Sequence, residues 1–151
     1  ALAAARQAAA QGWGFFTFWG DYGRAKSGLL AGIVNASIDA GKQAVYKSAG
    51  RLLQELRATY DTGTFDRAFD EIVNYPVLAI DEMWRYKQTD WAAEQMFNIV
   101  EERYRFADRR LTVFATNARP DPASDAIWSR MTDAARGQII HVSGVDVRPL
   151  T

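Results

Sequence analysis

The residues best suited to chemistry lie early in the chain, in Gly20-Asp21-Tyr22-Gly23-Arg24-Ala25-Lys26-Ser27-Gly28. Between a strand and a helix, such a stretch forms a loop whose backbone N–H groups turn inward on phosphate oxygens. The helix N-terminus adds partial positive charge at the same point. Lys26 then reaches the β- and γ-phosphates, and the Ser27 hydroxyl becomes a ligand for Mg²⁺. Ala25 stands directly before the Lys, where the pattern has Gly, and its Cβ can crowd a phosphate approached by backbone. Taken alone, the stretch also fits an ordinary strand-to-helix turn that happens to hold Lys-Ser.

Three further groups extend the chemistry. Asp81-Glu82 closes the apolar run Val77-Leu78-Ala79-Ile80. Ligands bind at strand carboxyl ends in an open parallel sheet. There Asp81 holds Mg²⁺ through water, and Glu82 orients or deprotonates an attacking water. Asn117 follows a second apolar strand, where its amide can hold that water; a turn-forming Asn before Ala-Arg-Pro is the plainer reading. Arg130, late in a helix, has a guanidinium suited to a γ-phosphate on a neighbouring subunit. A solvated or carboxylate-paired arginine is its commoner fate.

The elements that must position these residues alternate. Residues 2–11 are alanine-rich and predict a helix. Phe15-Phe16-Thr17-Phe18-Trp19 predicts a strand, and Leu29, Leu30, Ile33, Val34, Ser37 and Ile38 mark a helix to about Ala40, with Gly41 after it. Residues 43–47 read as a short strand. Ser48 then caps a helix with Leu52, Leu53, Leu56 and Tyr60 on one stripe. A short helix holds Phe65, Phe69 and Ile72. Pro76 leads into 77–80, a run apolar on both faces that suits a central parallel strand. Asp90 is the expected cap of a helix with Ala93, Met96, Phe97, Val100 and Tyr104 inward. Residues 111–116 are a strand. Asp121-Pro122 should open a helix past Ile127, Trp128 and Met131, Gly137 breaks it, and 138–142 is a last strand. The expected fold is α/β with a parallel sheet and right-handed crossovers, in a single domain over 1–151.

Composition narrows the field. Lys plus Arg and Asp plus Glu each number 18, so the net charge is zero and any nucleic-acid contact must be local. With no cysteine and one histidine, His141, thiolate and multi-histidine metal sites are excluded. No apolar run approaches a membrane span, and the alanine-rich start lacks the regions of a signal peptide. The expected location is the cytoplasm. The chain begins without Met, which is compatible with a piece of a longer protein.

The motifs together resemble a known family. Gly20 to Ser27 is similar to a Walker A loop, and Leu78-Ala79-Ile80-Asp81-Glu82 to Walker B. Thr116-Asn117 resembles sensor 1, and Ser129-Arg130 the arginine-finger box. Order and spacing resemble AAA+ ATPases of the DnaC/IstB-like helicase-loader and transposase-helper group. Thr89-Asp90-Trp91-Ala92, Glu102-Arg103-Tyr104 and Leu111 to Asn117 add group-level similarity, so the resemblance covers roughly residues 10–148. It implies a P-loop NTPase three-layer sandwich with five parallel strands in the order 5-1-4-3-2. It also implies Mg-ATP bound between subunits of a homo-oligomer, and DNA with a replicative helicase or transposase as partners. In those terms Gly20 to Gly28 cradle ATP, Ser27 and Asp81 hold the metal, Glu82 and Asn117 serve the water, and Arg130 acts in trans. Three departures stand out. Ala25 replaces Gly, Asp21 replaces a common Pro, and the helical lid with its sensor 2 arginine is expected to be absent, with Arg148 only a weak substitute. The N-terminal partner-binding region of helicase loaders is expected to be absent too.

Two other readings stay open: a non-catalytic nucleotide-sensing or scaffolding module, and a monomeric P-loop kinase lacking an evident acceptor site. For nucleic acid, Trp84-Arg85-Tyr86-Lys87 interleaves rings and cations, although a loop that packs its Trp and solvates its charges is the favoured reading. Lys47, Arg51 and Arg57 are candidates for a pore lining. Arg105, Arg109 and Arg110 read as cations near a helix C-terminus. Trp13 and Trp19 read as core or subunit contact.

Overall fold

A computed structural model describes residues 1–21, 23 and 25–143. Eleven elements alternate along it: α1 (Leu2–Gln11), β1 (Gly14–Trp19), α2 (Ala25–Asp39), β2 (Ala44–Ser48), α3 (Ala49–Ala58), α4 (Phe65–Asn74), β3 (Val77–Asp81), α5 (Asp90–Arg105), β4 (Leu111–Thr116), α6 (Ala126–Met131) and β5 (Gly137–His141). The strands form one parallel sheet in the order β2-β3-β4-β1-β5, the expected 5-1-4-3-2 read from the other edge. Arg148, the sensor 2 candidate, lies outside the described residues.

Successive strand side chains point to opposite faces, so each central strand feeds two cores. On one face Phe16, Phe18, Val77, Ala79, Val113 and Ala115 pack with Ala8 of α1 and Leu30, Ile33 and Val34 of α2. On the other Phe15, Leu78, Ile80 and Phe114 pack with α3, α5 and α6 through Leu52, Leu56, Met96, Ile99 and Trp128. Three layers result, and β3 and β4 are buried along their whole length. No helix of the described residues is long and apolar enough to cross a membrane.

Several boundaries move for local reasons. Thr89, not Asp90, caps α5: its hydroxyl accepts the Ala92 N–H, and Asp90 becomes the first helical residue, where its charge suits the dipole. The register rotates accordingly, burying Ala92 and exposing Ala93. Asp121-Pro122 lies in a separate turn, and α6 starts after Asp125, whose carboxylate accepts the Ile127 N–H at 2.6 Å. Ile38, in the last turn of α2, and Tyr60, in the turn after α3, both expected inward, are exposed. Gly137 starts β5 rather than breaking a helix. A Cβ there would lie 1.6 Å from the Phe15 carbonyl oxygen, so only glycine lets the edge strand close on β1.

Arg103, singled out in the sequence only as part of Glu102-Arg103-Tyr104, has a structural role. Arg103 on α5 is fully buried. Its guanidinium donates to Thr112 Oγ1 (2.6 Å) and to the carbonyls of Ile72, Val73, Tyr75 and Leu111 (2.9–3.1 Å). Ile72 and Val73 lie in the last turn of α4, whose carbonyls have no partner within the helix. Arg103 therefore caps α4 from a neighbouring helix and ties it to β4. Burial pushes its pKa down to about 9, which leaves it charged at neutral pH. Arg103→Leu would leave these acceptors unpaired at about 1–3 kcal/mol each, partly relieved by water. The expected loss is at least about 3 kcal/mol, read from urea unfolding; a change under about 1 kcal/mol would refute this capping role.

Candidate functional site

The carboxyl ends of β1, β3 and β4 meet where α2 begins. Gly20 leaves β1 with its N–H donating to the Thr116 carbonyl of β4 (3.2 Å). A side chain at Gly20 would place its Cβ 2.4 Å from the Val142 carbonyl oxygen, so the exit toward the loop needs glycine. Gly23, Lys26, Ser27, Asp81, Glu82, Arg85, Ala115, Thr116 and Asn117 line one cleft of about 90 Å³ there. Residues from three segments of the sequence thus converge. Tyr22 and Arg24 of the loop lie outside the described residues. A larger cavity, about 410 Å³, sits at the opposite end of β2 between Ile38, Lys42 and Tyr75. It gathers none of the expected site residues.

Asp81 is the hub. It ends β3 and is buried. Its Oδ1 accepts the Glu82 N–H at 2.7 Å, and its Oδ2 accepts the Ser27 hydroxyl at 2.6 Å. The Tyr46 hydroxyl on β2 also donates to Oδ2. Burial, and then this bond to Asp81, push the Tyr46 pKa up to about 12. Sequence reasoning passed over Tyr46, because a lone tyrosine in a short strand carries no motif.

Lys26 lies in the first turn of α2 and is buried. Its ammonium donates to the Gly20 carbonyl (3.0 Å) and to that of Asp21, which holds it over the loop. Burial lowers its pKa, and the charges of Asp81 and Asp21 partly offset that. Ala25 and Gly28 are exposed, and nothing stands within 4 Å of where a Cβ on Gly28 would be.

Glu82 and Asn117 are exposed on the cleft wall. The turn carrying Glu82 is strained, with φ of 51° at Glu82 and 77° at Trp84. Left-handed non-glycine residues cost about 1–3 kcal/mol each and persist only where their surroundings hold them. Here the Met83 N–H donates to the Ala115 carbonyl (2.9 Å), and Thr116 Oγ1 donates to the Met83 carbonyl (3.0 Å). Thr116 Oγ1 in turn accepts the Ala118 N–H (3.0 Å), so one hydroxyl orients the turns of Glu82 and Asn117 together. Arg85 sits 3.6 Å from the Glu82 carboxylate.

Arg130 is not in the cleft of its own chain. Its Nε lies 2.7 Å from Glu101 Oε2, and its guanidinium lies over the Tyr104 ring. That hydrogen bond raises its pKa, so it stays charged. The basic candidates are engaged as well. Lys47 and Arg51 both pair with Glu55, and Arg57 lies over Trp91. Trp84 and Tyr86 turn inward, and Trp84 packs on Trp128 with ring centroids 5.5 Å apart. Arg85 and Lys87 remain exposed. Arg109 and Arg110 cover Phe106. Trp13 is exposed and Trp19 stacks on His141, so neither is core. Thr116→Val keeps the shape of the buried side chain but orphans the Met83 carbonyl and the Ala118 N–H. A loss of about 1–3 kcal/mol in urea unfolding is expected. Unchanged stability would show that the two turns are held by other means.

Known proteins share this architecture. The sequence is 29% identical over 84 residues to the chromosomal replication initiator protein DnaA of Campylobacter jejuni, covering 56% of this chain and 19% of that protein. AMPPCP-bound DnaA from Aquifex aeolicus superposes with a TM-score of 0.78 at 19% identity, over 91% of this chain and 44% of that one. The DnaC helicase loader does so with a TM-score of 0.72 at 20% identity, over 94% and 87%. At these identities the likeness is one of fold, that of the AAA+ P-loop NTPases. The family described as IstB-like ATP binding protein matches residues 16–145, from the strand before the loop to beyond β5, and the chain belongs to it.

Proposed function

We propose that the cleft binds ATP with Mg²⁺ and hydrolyses the terminal phosphate. The convergence of Lys26, Ser27, Asp81, Glu82 and Asn117 at three adjacent strand ends carries this reading. The residues fit the cofactor pair. Lys26 and the α2 N-terminus are cationic toward phosphate. The Ser27 hydroxyl and the Asp81 carboxylate are hard oxygen donors held together, as Mg²⁺ requires. Bound there, Mg²⁺ would neutralise charge between phosphate groups.

This chain's own residues supply the rest. Among the described loop residues, Gly20, Asp21, Gly23 and Ala25 to Gly28 form the cradle. Glu82, exposed and aimed by a strained turn, orients or deprotonates the water, and Asn117 holds it from the facing turn. Arg130 acts on the nucleotide of a neighbouring subunit after leaving Glu101, which makes the active form a homo-oligomer. We read residues 1–151 as one nucleotide-binding core that loads or regulates a DNA-bound partner, a replicative helicase or a transposase. Related structures, a replication initiator DnaA bound to AMPPCP and single-stranded DNA and the DnaC helicase loader, support that setting.

Steady-state turnover and calorimetry test the reading together. Glu82→Gln should lower turnover about 10²–10⁴-fold while ATP still binds. Unchanged turnover removes Glu82 from its role. No heat from the unaltered protein with ATP and Mg²⁺ points instead to a non-catalytic scaffold. Arg130→Ala should lose about 10³-fold or more. Mixing it with Lys26→Ala subunits, themselves unable to bind ATP, should restore part of the activity. Full activity of Arg130→Ala at all protein concentrations would remove the trans role and favour a monomeric kinase.

A further inference from the structure

Tyr46 lies on the edge strand, outside every motif, yet its hydroxyl reaches the centre of the cleft. Its register partner on β3 is Ala79, two residues before Asp81. Residues two apart on a strand share a face, and diagonal neighbours on adjacent strands are within reach of long side chains. The tyrosine therefore spans past a single methyl to donate to Asp81 Oδ2. Ser27 donates to the same oxygen, and the Glu82 N–H takes the other. Carboxylate rotation about the last torsion of Asp is otherwise soft. If Ser27 turns its lone pairs to a cation, Tyr46 is the side-chain donor still holding Oδ2.

We propose that Tyr46 is a positioning residue that fixes the plane of the Asp81 carboxylate for a divalent cation at the nucleotide. This rests on the reading of the cleft as an Mg-ATP site. Hydrogen-bond partners of metal-ligating groups are typically worth 10–100-fold in metal affinity. The hydroxyl alone carries the effect, so Tyr46→Phe is the informative change; the half-exposed ring keeps its place on the sheet.

The test measures Mn²⁺ affinity by paramagnetic resonance, with a non-hydrolysable ATP analogue bound, alongside analogue affinity without metal. In Tyr46→Phe, Mn²⁺ affinity should fall about tenfold or more with metal-free analogue affinity unchanged, while the melting temperature falls by a few degrees because buried Asp81 loses one donor. A merely structural role would move the metal-free analogue affinity together with the Mn²⁺ affinity. Equal Mn²⁺ affinity in the two proteins overturns the assignment while leaving the nucleotide site intact. Absence of analogue binding in the unaltered protein overturns the site itself, and the role of Tyr46 with it. Should Tyr46→Phe fold poorly, the near-ultraviolet tyrosine difference spectrum of the unaltered protein decides: a tyrosine band on adding Mn²⁺ to the analogue complex supports the assignment, and a flat response overturns it.

Discussion

One buried carboxylate ties the working end of this molecule together. Asp81 accepts from the first turn of α2, from β2 and from the backbone that follows it. Removing a charge from water is costly unless donors replace the solvent. Three donors do so here, and each comes from a different element. The position of α2 on the sheet, the reach of the edge strand and the direction of the Glu82 turn are therefore set against a common point. Lys26 adds the nearby positive charge that a buried carboxylate favours.

The sheet makes that point possible. Parallel strands need crossovers, and the crossovers place helices on both faces, leaving the carboxyl edge open. The three strand ends that meet there differ in how they turn. β1 leaves through glycine beneath a carbonyl, β3 through a strained left-handed turn, and β4 through a hydroxyl that braces both turns. Stability is concentrated away from this edge, in the two apolar cores and in Arg103, so the cleft can carry strain and buried charge. The pairing of Arg130 with Glu101 likewise lies outside the cleft, on the helix layer.

Much of this was legible in the residue order. Lys26-Ser27 after an aromatic strand, and Asp81-Glu82 after a fully apolar run, marked two strand ends that meet in one cleft. The cap at Ser48 followed from its own side chain, which accepts the Arg51 N–H. The α6 start was misplaced because Asp121-Pro122 and Asp125 are both good openings, and burial of Ile127, Trp128 and Met131 selects the second. Thr89 and Asp90 posed the same ambiguity on α5, and a one-residue shift exchanged Ala93 for Ala92 in the core.

By itself, then, the sequence determined what is local. Periodicity marks elements, and polar residues at their ends mark caps, because hydrogen bonds within a few residues decide each of these. Tertiary structure alone decided which distant groups touch. Ser27 meets Asp81 across 54 positions and Tyr46 meets it across 35. Arg103 reaches carbonyls about 30 positions away. Those contacts follow from strand order and register, which arise from burying both faces of the whole sheet at once, and no short segment carries that information.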